Sequence, residues 1–168
     1  EVTALLAGED ELTAAGEAGT AERLRRWADI RATLEAVRLL GTDVELLPPV
    51  FVPLDVDLEV DAAPTAPAEQ VRVDVTEALA GPGGLLDPDT AGLGGDVRVD
   101  DVYRHVLRVP GVAGARVLRL RRLDPGSPET AVDGVLAVAA GEVAVLRDPL
   151  RRPGRDGVLT VAVCGGRA

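Results

Sequence analysis

Lysine, methionine and asparagine are missing from this 168-residue chain, and cysteine, histidine, serine, glutamine and isoleucine occur once each. One cysteine cannot close an intrachain disulfide, and one cysteine with one histidine cannot build a structural zinc site. Neither oxidation nor zinc is therefore expected to hold the fold, and a reducing compartment of synthesis is expected. Aromatics are just as scarce: Trp27, Phe51 and Tyr103 make up 2% of the residues. Stacking platforms for bases or sugars are nearly excluded, and the core must come from valine, leucine and alanine. The longest apolar stretch, residues 134–146, is interrupted by Gly141 and Glu142 and falls short of the roughly 20 residues that span a bilayer. The chain opens on Glu1 without a start methionine or a targeting core, so it reads as a piece of a longer polypeptide.

What is present is acidic. Twenty-eight acids against 18 bases give a formal charge of −10, which repels nucleic acid and anionic membrane surfaces unless the charge is strongly segregated. All the bases are arginine, which fits the codon bias of a GC-rich bacterial genome. Arginine in place of lysine is then weak support for phosphate recognition. With 46% hydrophobic residues, the chain can still bury a real core.

Periodicity divides the chain. Residues 1–19, rich in Ala, Gly, Glu and Thr, show little period and read as a loose lead-in or the end of an upstream domain. From Thr20, a candidate N-cap, Leu24, Trp27, Ile30, Leu34, Val37 and Leu40 recur at spacings of three and four until Gly41, which predicts an amphipathic helix of about 20 residues. Val50 to Val60 alternate in period two, with Val50, Val52, Leu54, Val56, Leu58 and Val60 on one face and Asp55, Asp57 and Glu59 on the other, solvated face. Pro53 has no amide donor, so this strand is expected at a sheet edge, or Pro53 at its irregular start.

A second helix is predicted through Val71, Val75, Ala78 and Leu79, ended by Gly81-Pro82. A Gly/Pro/Asp loop follows to Gly95, then a short extended piece at Val97 to Val99. A third helix, capped by Asp100 or Asp101, is expected to bury Val102, Tyr103, Val106, Leu107 and Val109 and to stop at Pro110-Gly111. Ala115 to Leu123 is read as a strand. Val135 to Ala139, Glu142 to Arg147 and Val158 to Val163 are read as an antiparallel ribbon. The fold class expected is α+β: a two-layer sandwich of a mixed or antiparallel sheet with two helices on one face, preceded by a long amphipathic helix and followed by a β-ribbon. The boundaries are 1–19 lead-in, 20–47 helix and turn, 48–124 core domain and 125–168 ribbon.

Catalytic and metal constellations are weak. Ser127 lies between Gly126 and Pro128, outside any nucleophile elbow. Cys164 sits in an apolar strand where a small buried hydrophobe is the commoner role, so a dyad with His105 is a minor reading. Asp87-Pro88-Asp89 opens like a calcium loop, but Ala91 and Arg98 stand where oxygen ligands are required, which leaves a turn. Asp55, Asp57 and Glu59 read as a solvated or partner-facing row rather than a metal or acid/base cluster. Arg116, Arg119, Arg121 and Arg122 on one strand, with Arg147, Arg151, Arg152 and Arg155 around a later turn, favour ion pairs within the domain or with a neighbour over nucleic acid. His105 reads as a polar surface residue. No cofactor is expected, nor catalysis.

Three stretches carry a family resemblance. Residues 29–44 followed by Pro48-Pro49-Val50-Phe51-Val52-Pro53-Leu54-Asp55-Val56 look like a helix, a Gly-Thr turn and a "PP-x-[YF]-VP" strand. Asp87-Pro88-Asp89, leading through Gly94 and Val97 to Val102-Tyr103, looks like a Pro-Asp loop before a helix. Val109-Pro110-Gly111-Val112 with Arg116 to Arg122 looks like a "VPGV" turn and its strand. In this order they resemble the C-terminal part of the baseplate J-like family, the putative baseplate assembly proteins of bacteria.

The resemblance implies a structural wedge component in the baseplate of a contractile phage tail or injection system. Implied partners are other wedge subunits, the sheath initiator and the central hub or spike proteins, with self-association in the particle and no nucleic acid or membrane. Synthesis and assembly would be cytoplasmic, within a tail-like particle that can be released from the cell. Interface candidates are Leu24, Trp27, Ile30, Leu34 and Val37 on the first helix, Pro53, Asp55 and Asp57 on the alternating strand, and Arg119, Arg121, Arg151 and Arg152. Rival readings are a small particle-associated hydrolase domain and a nucleic-acid adaptor built on the arginine groups.

Overall fold

Residues 2–5, 16–39, 41–123, 133–147 and 154–167 are described by a computed structural model, with side chains from Leu24 onward. They fall into two compact units, Glu1–Val50 and Phe51–Ala168. The chain is mixed α and β, about 30% helix and 40% strand, and is an α+β sandwich.

The first unit contains β1 (Val2–Leu5), α1 (Gly16–Val37) and β2 (Val44–Leu47). β1 pairs with β2 in parallel, Val2 opposite Val44. The lead-in expected to be loose therefore includes a strand, and α1 starts four residues before Thr20, which is inside the helix rather than at its cap. The helix ends at Val37, and Gly41, at φ +85°, takes a left-handed conformation that suits glycine as the chain turns toward β2.

The second unit is built on β3 (Val50–Pro67). It continues through α2 (Ala68–Ala80), α3 (Pro88–Ala91), β4 (Val97–Arg98), α4 (Val99–Val106), β5 (Val112–Arg122), β6 (Val135–Leu136), β7 (Glu142–Val145) and β8 (Val158–Arg167). β5 and β8 pair with β3 along the same stretch, antiparallel from Leu54 to Ala62 and parallel from Asp55 to Ala62. β7 also joins β3, while β4 and β6 form a separate antiparallel pair.

Two expectations are corrected here. β3 is a central strand, not an edge; Pro53 precedes the doubly paired stretch, so its missing N–H interrupts neither of those ladders, and its carbonyl accepts the Leu123 N–H at 2.9 Å. The last strands are no ribbon, because Leu159, Val161 and Val163 carry an apolar face that packs on the common core, which period two alone could not reveal. Residues 133–167 thus belong to the same unit as β3.

Both main helices cover one face of the sheet. Leu54, Val56, Leu58 and Val60 of β3, Val71, Val75 and Leu79 of α2, Val102 and Val106 of α4 and Leu120 of β5 form one buried cluster. Each such side chain contributes about 1.5–3 kcal/mol by leaving water. α4 starts at Val99 with Arg98 at its N-cap and no side-chain cap, so Asp100 and Asp101 occupy the first turn instead of the cap. The loop after α2 holds the single turn α3, where Asp87 accepts the Gly83 N–H at 2.6 Å and caps Asp89. That is the turn role expected for the Asp87-Pro88-Asp89 segment. Gly157 lies where β8 meets β3; a Cβ there would stand 2.4 Å from the Leu54 carbonyl oxygen, so only glycine fits.

Candidate functional site

On the face of the sheet opposite the helices, the acids of β3 meet the arginines of β5. The register sets Asp55 against Arg121, Asp57 against Arg119 and Glu59 against Arg116. Arg116 shares this face with Arg119 only because the register shifts by one residue between Asp57 and Leu58, which makes Leu118 an extra, half-exposed bulge residue.

Asp55 accepts from Arg121 Nε at 2.7 Å and from an Arg119 terminal nitrogen at 3.3 Å. Arg119 also reaches Asp57 at 3.8 Å, and Arg116 reaches Glu59 at 3.4 Å. Asp55 is 4% exposed, so this member of the row expected to be solvated or partner-facing is buried instead, while Asp57 and Glu59 remain part-exposed. The acid can be buried because two guanidiniums replace its water; a buried carboxylate without them would cost several kcal/mol. The ion pairs expected for this arginine group are therefore made inside the domain.

A second network ties β5 to β7. Arg122 grips Glu142 with two nitrogens at 2.8 and 2.7 Å, and Glu142 also accepts the Ala139 N–H at 2.9 Å. The Arg122 hydrogen bonds hold the Glu142 carboxyl below its ordinary pKa; burial opposes them, and the Ala139 N–H assists. The residues are twenty positions apart, and no local pattern announces them. Nor does any pattern announce the Tyr103 hydroxyl that accepts the Val117 N–H at 3.2 Å.

The titratable residues considered for chemistry do not converge. His105 is half-buried on α4, its Nδ1 2.8 Å from the Asp101 carbonyl. It borders a cleft of about 410 Å³ at the ends of α2 and α4, with Asp74, Glu77 and Arg108. Cys164 is exposed, correcting the expected buried role, and lies opposite Asp61 on the sheet face away from α4. The sheet separates thiol from imidazole, so they form no dyad. Among the described residues, no group of three or more His, Cys, Asp or Glu could hold a metal ion, and no helix is long and apolar enough to cross a membrane. Ser127, Arg151 and Arg152 lie outside the described residues.

α1 has a different character. Leu24 is 49% and Val37 72% exposed, while Trp27, Ile30 and Leu34 are half-buried. None of its described side chains is buried. At about 100° per residue, Trp27, Ile30, Leu34 and Val37 form one narrow seam, with Leu24 off to one side. Arg38 pairs with Glu35 at 2.9 Å and with Asp43 at 3.7 Å, and the Thr33 hydroxyl donates to the Asp29 carbonyl.

Comparison of the chain with protein-family models and with curated proteins returns no match.

Proposed function

We propose that the chain is a structural wedge module of a contractile-tail or injection-system baseplate, working through contacts with sister proteins and not by turning over a substrate. The observation that carries this reading is α1: a 22-residue helix with an apolar seam and no described side chain buried. A helix of that length is stabilised chiefly by packing one face; β2 touches α1 but leaves its seam half covered, which leaves apolar surface for a partner.

The order of the Gly-Thr turn, the Pro-Pro strand, the Pro-Asp loop and the Val-Pro-Gly-Val turn supports the same reading. So does the sheet of the second unit, whose cross-strand ion pairs suit a stiff element under load. Engagement of Arg116, Arg119 and Arg121 with acids leaves that row little capacity for phosphate, which weighs against the nucleic-acid adaptor. Partners would be other wedge subunits, the sheath initiator and hub or spike proteins, with assembly in the cytoplasm before any release of the particle.

The test is co-expression with the tail proteins encoded beside it. The chain is expected to co-purify with a wedge or sheath-initiator protein in fixed stoichiometry. Recovery of the chain alone from every pairing would overturn the proposal.

A further inference from the structure

The two strands that flank β3 end the sheet in different ways. β5, on one side, carries Arg116, Arg119, Arg121 and Arg122, a bulge at Leu118, and a Val117 N–H already given to the Tyr103 hydroxyl. Charge, irregularity and an occupied donor all discourage a sheet edge from pairing further. β8, on the other side, has none of these. Among the described residues β3 is its only strand partner, in unbroken register from Val158 to Gly165. The stretch from Val158 to Cys164 holds no charge and no proline.

That stretch also matches itself. Turned antiparallel about Val161, Leu159 of one copy meets Val163 of the other on the core face, where all three side chains are only part-buried. On the exposed face Thr160 meets Ala162, and Val158 meets Cys164. Every pair across the axis is neutral. The nearest charged residues, Asp55, Asp57 and Glu59 on β3, are matched by the β5 arginines, so the formal charge of −10 is not focused on this edge. Past Cys164, Gly165 and Gly166 take φ of +73° and +75°, which ends the regular strand and limits the match to Val158–Cys164, about 23 Å long. We infer that two copies of the chain join along β8, antiparallel about Val161, so that one sheet runs through both. This surface is separate from α1, and the wedge reading does not name it.

Sedimentation velocity over a concentration series is expected to show the whole chain passing from monomer to dimer. Thr160→Lys combined with Ala162→Lys sets lysine against lysine across the axis and should weaken the dimer at least about tenfold. Thr160→Lys combined with Ala162→Glu sets lysine against glutamate and should keep it; melting curves verify that both variants fold. Val158→Cys places a thiol opposite Cys164 of the second copy. In one chain these positions lie about 20 Å apart, too far for an internal bond. With oxidised glutathione as the electron acceptor, this variant is expected to form a disulfide-linked dimer, far faster than Ala162→Cys or the native chain.

A monomer at every concentration, a dimer indifferent to the lysine pair, or crosslinking without preference for Val158→Cys would overturn the inference. So would a monomer whose capture of a tail protein is lost with the lysine pair, because the edge would then receive a foreign strand. A β8 dimer that captures no tail protein upholds this inference and overturns the wedge reading. A chain that captures a tail protein yet stays monomeric does the reverse.

Discussion

The two units handle the same kinds of residue in opposite ways. In Phe51–Ala168 the apolar stripe of β3 is sealed beneath α2 and α4, and its acids are matched by arginines one strand away. In Glu1–Val50 the seam of α1 stays partly in water, and arginine borders it. An amphipathic pattern therefore does not say where its partner lies. β3 finds full cover within its own unit, whereas α1, touched by β2, keeps its seam only half covered.

Substitutions in each unit put this contrast at risk. The largest effect is expected at Leu58, fully buried in the cluster: Leu58→Ala should cost about 2–5 kcal/mol in urea unfolding, and Leu58→Asp should prevent the second unit from folding. Next comes Asp55→Ala, which strands two guanidiniums. Because Arg119 and Arg121 are 46% and 36% exposed and can rehydrate, the cost should be about 2–3 kcal/mol, below that of a fully buried pair. Adding Arg121→Ala should recover part of it; an unchanged or larger loss would mean that the row does not act as a matched set.

Glu142→Gln should cost about 1 kcal/mol at neutral pH and change the acid limb of stability. A carboxyl whose pKa is depressed by folding adds stability above its unfolded value near ~4.3. That contribution is lost as pH falls through the lower folded value, so the native chain should weaken below about pH 4 more steeply than the glutamine variant. Parallel unfolding curves between pH 5 and 2.5 would show that Arg122 and Glu142 are not coupled. The smallest effect on folding is expected at Leu34, where Leu34→Asp should shift stability by no more than about 1 kcal/mol, since the site is already half in water.

Much of the architecture was legible from spacing. The strand from Val50 and the helices around Val71–Leu79 and Val102–Val106 follow from period and turn chemistry, and the structure has each of them, although the third helix ends at Val106, short of the expected Pro110-Gly111 stop, and leaves Leu107 exposed. Strand partners were not legible. Period two in Val158–Val163 is the same for a hairpin ribbon and for a parallel neighbour of β3, and Pro53 looks like an edge marker until its position ahead of the doubly paired stretch is known. The acid and arginine rows were each visible as rows. The third of their pairings, Glu59 with Arg116, depends on a one-residue bulge at Leu118, without which Arg116 would fall on the other face from Arg119 and Arg121. Cys164 was misplaced for a related reason: an apolar-looking strand still turns every second residue outward, and Cys164 follows Asp61 to the exposed face.

The account stands on α1 joining molecules instead of completing its own unit's core. Its most direct test is affinity capture of the neighbouring wedge and sheath-initiator proteins by the whole chain and by Leu34→Asp, with thermal unfolding of both recorded alongside. The account predicts that Leu34→Asp keeps the parent's melting curve and captures no partner. A variant that captures partners as well as the parent, or one that unfolds, would contradict it.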